Sequence, residues 1–342
     1  MTVSATRLPV AIVGLGAHLP ATVVTNDDLA ERYDTSDEWI ASRTGIRQRH
    51  WAAPDEATSD LATAAAAKAL AAAGIAASEL CAIVVCTTSP DHQMPGTAPQ
   101  VAANLGVQTA AAFDLQAACT GFLYGLQVVG SMVAMQQRPA LLIGAETLSR
   151  FLNHDDRTTA VLFGDGAGAV VLAPAMPNAP GQEALGPFAT GADGDLGPIL
   201  WFEAGGSRIP STPQTTSDNR HLISMQGGEV YRHAVERMTA SCTQVLQDAG
   251  LTLDDIDLVV THQANVRIID AVAKRLGAPG TSEPGSKFHV TVDIHGNTSA
   301  ASIPLALADA AAKGLLHPGD EVLLTAFGSG LTFGAALVTW SI

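Results

Sequence analysis

The chain has few of the features that mark specialised protein classes. Aromatic residues make up only 5% of its 342 residues and charged residues only 15%, while 47% are hydrophobic. This composition excludes a disordered chain and predicts a large buried core. Basic residues are also scarce: 18 Lys and Arg against 33 Asp and Glu give a net charge of −15. That charge argues against general binding to nucleic acids or to a membrane surface.

Cysteines, targeting signals and long apolar runs are equally sparse. The four cysteines form no CxxC pair, and Cys81 and Cys86 point to opposite faces of a predicted strand, so they are interpreted as buried thiols. The N-terminus lacks a basic segment followed by an apolar run. No stretch of about 18 residues is apolar without glycine and polar breaks. Together these absences predict a soluble protein of the reducing cytoplasm, with no membrane segment.

Two ligand-binding motifs are incomplete. Val13-Gly14-Leu15-Gly16-Ala17 lacks the third glycine of a dinucleotide fingerprint, and no clear helix follows before Pro20. His262 and His295 have no companions at metal-ligand spacing, and the chain has no HExxH motif. The sequence therefore predicts neither a bound dinucleotide nor a metal site.

Short apolar runs alternate with helical patterns along the whole chain, which predicts an α/β fold with mainly parallel strands. The two halves also resemble each other. Phe163-Gly164-Asp165-Gly166 matches Phe327-Gly328-Ser329-Gly330, and Phe113-Asp114-Leu115 matches Val292-Asp293-Ile294. Because these matches keep the same order, they indicate an internal duplication.

The expected division follows from that duplication. Residues 1–174 form the first half, and residues 175–342 contain a junction and the second half. The Gly-, Pro- and Ala-rich stretch from Pro174 to Pro213 predicts a loop-rich junction, and Val290 to Ile294 is predicted to be a strand.

Cys119 is the candidate nucleophile. It follows a predicted strand and directly precedes an apolar helix that starts at Gly121. A sulfur at a helix N-terminus has a stabilised thiolate, so we expect a lowered thiol pKa. The alternative is an unreactive cysteine buried in an alanine-rich turn.

Two further polar side chains lie in similar strand-to-loop contexts. His262 ends the predicted strand Asp257 to Thr261, at the edge where open α/β sheets bind ligands, although a structural histidine remains an alternative. Asn297 lies in a Gly-Asn-Thr-Ser turn and could simply cap the helix that follows. If Cys119 meets both residues in the fold, the set predicts covalent chemistry on a thioester or another activated acyl group.

Five runs carry a resemblance to a known family: Thr35–Ile40 with Arg43–Ile46, Ala117–Phe122, Phe163–Gly168, His262–Asn265 and His295–Ser299. With these runs the chain resembles, over nearly its whole length, the β-ketoacyl-acyl carrier protein synthase III family of thiolase-fold condensing enzymes. The resemblance implies a five-layered αβαβα fold built from two related halves, usually as a homodimer. It implies a Cys-His-Asn active site, matched by Cys119, His262 and Asn297.

The resemblance also implies a two-stage reaction. Cys119 takes an acyl group from acyl-coenzyme A, and malonyl-acyl carrier protein then loses carbon dioxide to give an enolate that attacks the acyl-Cys119 thioester. His262 and Asn297 would donate hydrogen bonds to the malonyl thioester oxygen, with His262 neutral. The backbone amides of Cys119 and Ser329 would hold the oxyanion. Neither a metal nor a cofactor is implied.

Substrate contacts follow from the same resemblance. Coenzyme A would be bound by Thr35, Trp39, Arg43, Arg157 and Asn265, with Trp39 and Arg157 on either side of the adenine. The acyl pocket would include Phe327 and, from across the dimer, Met94. The acidic carrier protein would dock on Arg232, Arg267, Lys274 and Arg275, although these could be ordinary solvated charges.

The chain departs from the family pattern at Ser329, where glycine is usual, and at Phe333, where tryptophan is common. If position 329 requires φ > 0, we expect strain of order 1 kcal/mol there. Two other functions stay open: transfer of the acyl group from Cys119 to a small-molecule alcohol or amine, and a non-catalytic subunit that shapes another synthase. The intact Cys119, His262 and Asn297 set argues against the non-catalytic subunit.

Overall fold

The computed structural model describes residues 7–175 and 185–342. Over these residues the strands are β1 (Val10–His18), β2 (Thr22–Thr25), β3 (Gln48–Trp51), β4 (Ala82–Cys86), β5 (Ala111–Leu115), β6 (Ala140–Glu146), β7 (Gly166–Pro174), β8 (Leu185–Ala192), β9 (Leu200–Trp201), β10 (Ser224–Met225), β11 (Leu258–Thr261), β12 (Phe288–His289), β13 (Glu321–Gly328) and β14 (Thr332–Thr339). The helices are α1 (Asn26–Ala30), α2 (Asp37–Thr44), α3 (Thr58–Ala73), α4 (Thr97–Asn104), α5 (Gly121–Gln136), α6 (Arg157–Ala160), α7 (Pro213–Ser217), α8 (Gly227–Ala249), α9 (Val266–Arg275), α10 (Val292–His295) and α11 (Ser302–Ala312).

Two five-stranded sheets have the same order and the same strand directions. The first runs β1-β7-β6-β4-β5 and the second β8-β14-β13-β11-β12. In each sheet the last three strands are parallel and the first two pairings are antiparallel. This shared topology confirms that the fold consists of two duplicated halves.

The two sheets and three layers of helices stack as αβαβα. Helices α3 and α4 pack on the outer face of the first sheet, through Leu61 and Val101. Helices α5 and α11 lie between the sheets, where Leu126 and Ile303 share one hydrophobic cluster. Helices α8 and α9 cover the second sheet through residues such as Met238. The predicted five-layered architecture is therefore confirmed.

Helix α5 is the most apolar long element of the described residues. With its preceding turn, Ala118–Gln136, it is long and apolar enough to span a membrane, and 56% of that stretch is buried inside the protein. A helix enclosed between two sheets must be apolar on every face, so we interpret α5 as a core helix.

Glycines let the two halves approach each other closely at the centre. A Cβ at Gly144, in β6, would lie 2.2 Å from the carbonyl oxygen of Ala300 in the second half. In the equivalent strand β13, a Cβ at Gly328 would lie 2.7 Å from the backbone nitrogen of Cys119 in the first half. In each half, therefore, a turn of the other half packs directly against a glycine, where a side chain would not fit.

Two local predictions are wrong. In the stretch predicted as a strand at Val290 to Ile294, Val292–His295 form the short helix α10 instead. The Gln263 side chain accepts hydrogen bonds from the backbone N–H groups of Thr291 and Val292, so the preceding strand β12 ends at His289. The predicted junction from Pro174 to Pro213 contains β8, which pairs with β14 at the edge of the second sheet. Residues 176–184 of that junction lie outside the described residues.

The close approach at Gly144 generates a stability prediction. We expect Gly144→Ala to lower the free energy of unfolding by about 1–3 kcal/mol, because the new methyl meets backbone atoms that cannot rotate away. Thermal unfolding would show this as a lower Tm. Gly206→Ala is the matched control, since a Cβ there has no atom within 4 Å. Equal Tm values for the two variants would mean that the halves are not tightly packed at this point.

Candidate active site

Cys119 lies in a tight turn between β5 and α5. Ala118 has φ of +47°, and Ala118–Thr120 form one turn of 3-10 helix before α5 begins at Gly121. The positive φ turns the chain sharply, so the thiol lies at the N-terminus of the core helix. Only 8% of Cys119 is exposed.

Burial decides the protonation of the Cys119 thiol. It raises the pKa of Cys119 to about 12, against a smaller lowering by a hydrogen bond with Ser299, and the buried Glu146 carboxylate adds to the rise. The expected lowering of the thiol pKa at the helix N-terminus is therefore wrong, because loss of hydration disfavours the charged thiolate. In the free protein the thiol is protonated at neutral pH, so its reaction requires a base.

His262 directly follows β11 and is 5% exposed. Its backbone N–H donates to the Thr325 carbonyl at 2.8 Å, and its Nδ1 lies 3.1 Å from the Ser302 hydroxyl. Burial lowers the pKa of His262 to about 3. The imidazole is therefore neutral at physiological pH, as expected, and Nε2 is the ring nitrogen left for a substrate.

Asn297 follows the glycine that ends α10. Gly296 has φ of +65°, and the Asn297 backbone N–H donates to the Leu162 carbonyl of the first half at 2.8 Å. The side-chain Oδ1 accepts a hydrogen bond from the Ser299 backbone N–H at 3.0 Å. Because that contact occupies the acceptor end of the amide, Nδ2 remains to donate to a ligand.

The structure brings these three residues together in one cavity of about 560 Å³. Cys119, His262 and Asn297 all line it. The walls also include apolar side chains from both halves, among them Phe163 and Phe327. A thiol, a neutral imidazole and an amide donor therefore face one largely apolar chamber.

Trp39 and Arg43 line the same cavity together with Asn265. The guanidinium carbons of Arg43 and Arg157 lie 4.6 Å and 5.1 Å from the centroid of the Trp39 ring. Arg157 also forms an ion pair with Asp34 at 3.1 Å.

Asn265 caps α9 by accepting a hydrogen bond from the Arg267 backbone N–H at 2.8 Å. Its Nδ2 donates to the Arg43 carbonyl at 3.1 Å, so Asn265 connects α9 to α2. Thr35 does not line the cavity, and its buried hydroxyl has no hydrogen-bond partner within the described ranges.

Ser329 and Met94 also lie outside the cavity lining. The Ser329 hydroxyl donates to the carbonyl of Leu200, which does line it. The positive φ, +134°, belongs to the next residue, Gly330. The backbone strain expected if Ser329 required φ > 0 therefore does not arise. Met94 is 88% exposed.

The four basic residues expected to face a carrier protein are all exposed. Arg267 lies at the cavity wall, and Lys274 and Arg275 lie on the last turn of the same helix, α9. Arg232 is on α8 and pairs with Glu229 at 2.5 Å, which reduces the charge it presents.

Sequence reasoning missed three polar groups around the cavity. Ser302 contacts His262, and Thr298 contacts Ser302 at 3.3 Å. Glu146 is fully buried and accepts hydrogen bonds from Thr88 and Ser89, and burial raises the pKa of its carboxyl. The spacing of Thr298 and Ser302 at i and i+4 could have indicated their contact.

Across residues 7–175 and 185–342, no group of three His, Cys, Asp or Glu side chains could hold a metal ion.

Comparison with known proteins defines the class. Sequence models described as 3-oxoacyl-[acyl-carrier-protein] synthase III and its C-terminal part match residues 113–194 and 246–340. The β-ketoacyl-[acyl-carrier-protein] synthase III of Erythrobacter litoralis is 51% identical over 334 residues, covering 96% of this chain and 99% of that protein. That of Caldanaerobacter subterraneus subsp. tengcongensis is 46% identical over 336 residues, covering 98% and 99%.

Solved structures of similar sequence have the same fold as this chain. The 3-oxoacyl-(acyl carrier protein) synthase III of Pseudomonas aeruginosa superposes with a TM-score of 0.87 at 42% identity, covering 97% of this chain and 98% of that one. The priming β-ketosynthase of the R1128 polyketide pathway gives 0.88 at 32% identity, covering 98% and 97%. The fold is thus that of the thiolase-like condensing enzymes. The chain belongs to the 3-oxoacyl-[acyl-carrier-protein] synthase III family, which confirms the predicted family and fold.

The lowered pKa of His262 generates a prediction about stability and pH. In the unfolded chain this histidine protonates below its ordinary pKa of 6.5, whereas in the folded protein it stays neutral down to about pH 3. The unfolded state therefore binds more protons over this window, so the contribution of His262 is complete above pH 6.5 and is lost as the pH falls.

Urea unfolding at pH 7 and pH 5 measures this effect. We expect the wild-type free energy of unfolding to fall more steeply than that of His262→Gln, by up to about 1.4 kcal/mol per pH unit below 6.5. Parallel slopes for the two proteins would mean that His262 is not held neutral by burial.

Proposed function

We propose that this enzyme starts chain synthesis by a decarboxylative Claisen condensation. An acyl group from acyl-coenzyme A is held on Cys119 and extended by malonyl-acyl carrier protein, to begin a fatty acid or a polyketide. The observation that carries the proposal is the shared cavity of Cys119, His262 and Asn297. The acyl-transfer class agrees with the family to which the chain belongs.

The first stage is transfer of the acyl group to sulfur. Cys119 attacks the thioester carbonyl while its thiol proton moves to Nε2 of the neutral His262. The carbon–sulfur bond to coenzyme A then breaks, and the same proton passes to the departing coenzyme A sulfur. A base is needed because burial raises the pKa of Cys119 to about 12, and His262 lines the same cavity. The backbone amides of Cys119 and Ser329 would hold the oxyanion.

The second stage forms the new carbon–carbon bond. The malonyl group loses carbon dioxide, and its electron pair becomes an enolate whose oxygen accepts hydrogen bonds from Nε2–H of His262 and Nδ2–H of Asn297. The enolate carbon attacks the acyl-Cys119 carbonyl, the thioester to Cys119 breaks, and a 3-oxoacyl-carrier product leaves. The departing Cys119 thiolate takes up one proton from solvent, which restores the thiol. Loss of carbon dioxide supplies the carbanion, so we propose that no metal or cofactor is required. Acyl-coenzyme A is a substrate.

For coenzyme A we propose that Trp39 and Arg157 bind the adenine. Thr35 and Arg43 would hold the nucleotide portion, and Asn265 would lie along the path of the pantetheine. Two stacked layers at roughly 3.5 Å each need about 7 Å between Trp39 and Arg157. The separation in the free protein is 5.1 Å, so adenine can enter only if Arg157 moves away from the ring. That movement loosens its contacts with Asp34.

The proposal also assigns residues to the acyl pocket and to the docking of the carrier protein. Phe327 lines the cavity, and the exposed Met94 would reach the end of the acyl pocket of a second copy in a homodimer. Arg267, Lys274 and Arg275 on α9 would receive the acidic carrier protein, with a smaller contribution from Arg232. The division at residue 174 would then give Cys119 to the first half and both hydrogen-bond donors to the second. We place this chemistry in the cytoplasm.

Transfer of the acyl group to a small-molecule alcohol or amine is the second candidate. Such a transfer needs Cys119 and a base but no donor to an enolate. The oriented amide of Asn297 therefore favours condensation.

Asn297→Ala separates the two stages. We expect malonyl-carrier decarboxylation to fall about 10²- to 10³-fold, the loss typical of one oxyanion donor, while acylation of Cys119 by acyl-coenzyme A changes little. Release of labelled carbon dioxide and intact-protein mass measure the two steps. Asn153→Ala, at a position outside the cavity lining, is the control. Normal decarboxylation with failed acylation would overturn the assigned role.

Trp39→Ala tests the adenine contact. We expect weaker binding of coenzyme A thioesters by roughly 1–3 kcal/mol, on the scale of base stacking on aromatic side chains. An N-acetylcysteamine thioester and malonyl-carrier both lack adenine and should react as with the wild type. Equal losses with all three donors, together with a lower Tm, would mean that Trp39 serves packing.

A further inference from the structure

We propose that Ser302 and Thr298 are positioning residues whose paired hydroxyls let His262 act as an acceptor in the first stage and as a donor in the second. This inference rests on the proposed function, because only a two-stage reaction needs both behaviours. It concerns the side of the imidazole that faces away from the substrate.

The three side chains form a short buried chain of contacts. His262 Nδ1 lies 3.1 Å from Ser302 Oγ, which lies 3.3 Å from Thr298 Oγ1. His262 is 5% exposed, and Ser302 and Thr298 are each 1% exposed. Thr298 immediately precedes the turn Ser299–Ala301, and Ser302 begins α11, so one turn of the chain places the Thr298 hydroxyl against the Ser302 hydroxyl, which contacts the ring. Water is therefore largely excluded from their hydrogen bonds.

Counting protons shows why two hydroxyls matter. A neutral imidazole carries one proton, on Nδ1 or on Nε2. If the Ser302 proton points to Nδ1, then Nδ1 is bare and Nε2–H is a donor. If the Ser302 proton points to Thr298 instead, Ser302 Oγ can accept from Nδ1–H, and Nε2 presents a lone pair. Rotation of the Ser302 hydroxyl therefore gives Nδ1 of His262 a hydrogen-bond partner in either tautomer.

The two stages use these two tautomers in turn. Acylation needs the Nε2 lone pair, which takes the thiol proton of Cys119 and returns it to the sulfur of coenzyme A. Decarboxylation needs Nε2–H, which donates to the malonyl thioester oxygen. A fixed partner at Nδ1, such as a backbone carbonyl, would stabilise only one tautomer and would slow the other stage.

Two variants should have different effects. Thr298→Val preserves the shape but leaves Ser302 only one acceptor in this chain of contacts, Nδ1 of His262. The Nε2–H tautomer is then favoured, so acylation should slow at least about tenfold, toward the loss of a general base, while decarboxylation stays within about twofold of the wild type. Ser302→Ala removes the partner of both tautomers, so both stages should slow.

The experiment measures the two stages separately and observes the imidazole directly. Single-turnover acylation is followed by intact-protein mass, and decarboxylation is followed by release of labelled carbon dioxide from malonyl-carrier. Histidine-selective ¹⁵N NMR reports which ring nitrogen of His262 carries the proton, with His262→Ala assigning the signal. Thr239→Val, in which the lost hydroxyl donates to the Val235 carbonyl within α8, is the control for the same substitution elsewhere.

A selective loss of acylation in Thr298→Val, with the ¹⁵N signals moving to the Nε2–H form, would support the proposal. Equal slowing of both stages, no slowing, or unchanged ¹⁵N signals would overturn it. A third outcome is that the wild type neither acylates nor decarboxylates while the ¹⁵N signals still shift in Thr298→Val. In that case the proposed function fails, but the inference that Thr298 and Ser302 set the tautomer of His262 is supported.

Discussion

The site depends on two places where one half of the molecule contacts backbone of the other. Gly144 of β6 receives the turn at Ala300, and Gly328 of β13 receives the turn at Cys119. These strands and turns are equivalent elements of the duplicated halves. As a result, the Cys119 thiol of the first half lines the same cavity as the His262 imidazole and the Asn297 amide of the second half. A side chain at either glycine would collide with backbone of the other half and force these turns to shift.

Close packing at this centre also explains the shifted pKa values of Cys119 and His262. Burial raises the pKa of Cys119 and lowers that of His262, so both are neutral before substrate arrives. The site therefore does not hold a resting thiolate–imidazolium pair. Instead, hydrogen-bond donors and acceptors are oriented in advance, and charge develops only during the reaction, when preorganised donors are most effective. The Ser299 amide, which orients Asn297, and the Ser302 hydroxyl, which contacts His262, belong to this preparation.

Much of this architecture could be predicted from the sequence. The repeated order of motifs around Phe163 and Phe327 indicated the duplication, and strand–turn–helix patterns located Cys119 and His262. The strand predicted at Val290 to Ile294 failed because a distant side chain, Gln263, captures its amides. The expected thiolate failed because burial is a tertiary property that local helix position does not report. Ser302 was missed for the same reason: its hydroxyl was indistinguishable from that of a helix-start serine until the fold brought His262 against it.

The central claim is that groups from both halves bind two different oxygens within one cavity. A crystal structure of the acylated enzyme with a non-reactive malonyl-thioester analogue measures this directly. The account predicts the acyl-Cys119 carbonyl oxygen within about 3 Å of the backbone amides of Cys119 and Ser329, and the analogue's thioester oxygen within about 3 Å of His262 Nε2 and Asn297 Nδ2. An analogue bound with its thioester oxygen away from both His262 and Asn297, or an acyl group attached elsewhere than Cys119, would contradict it.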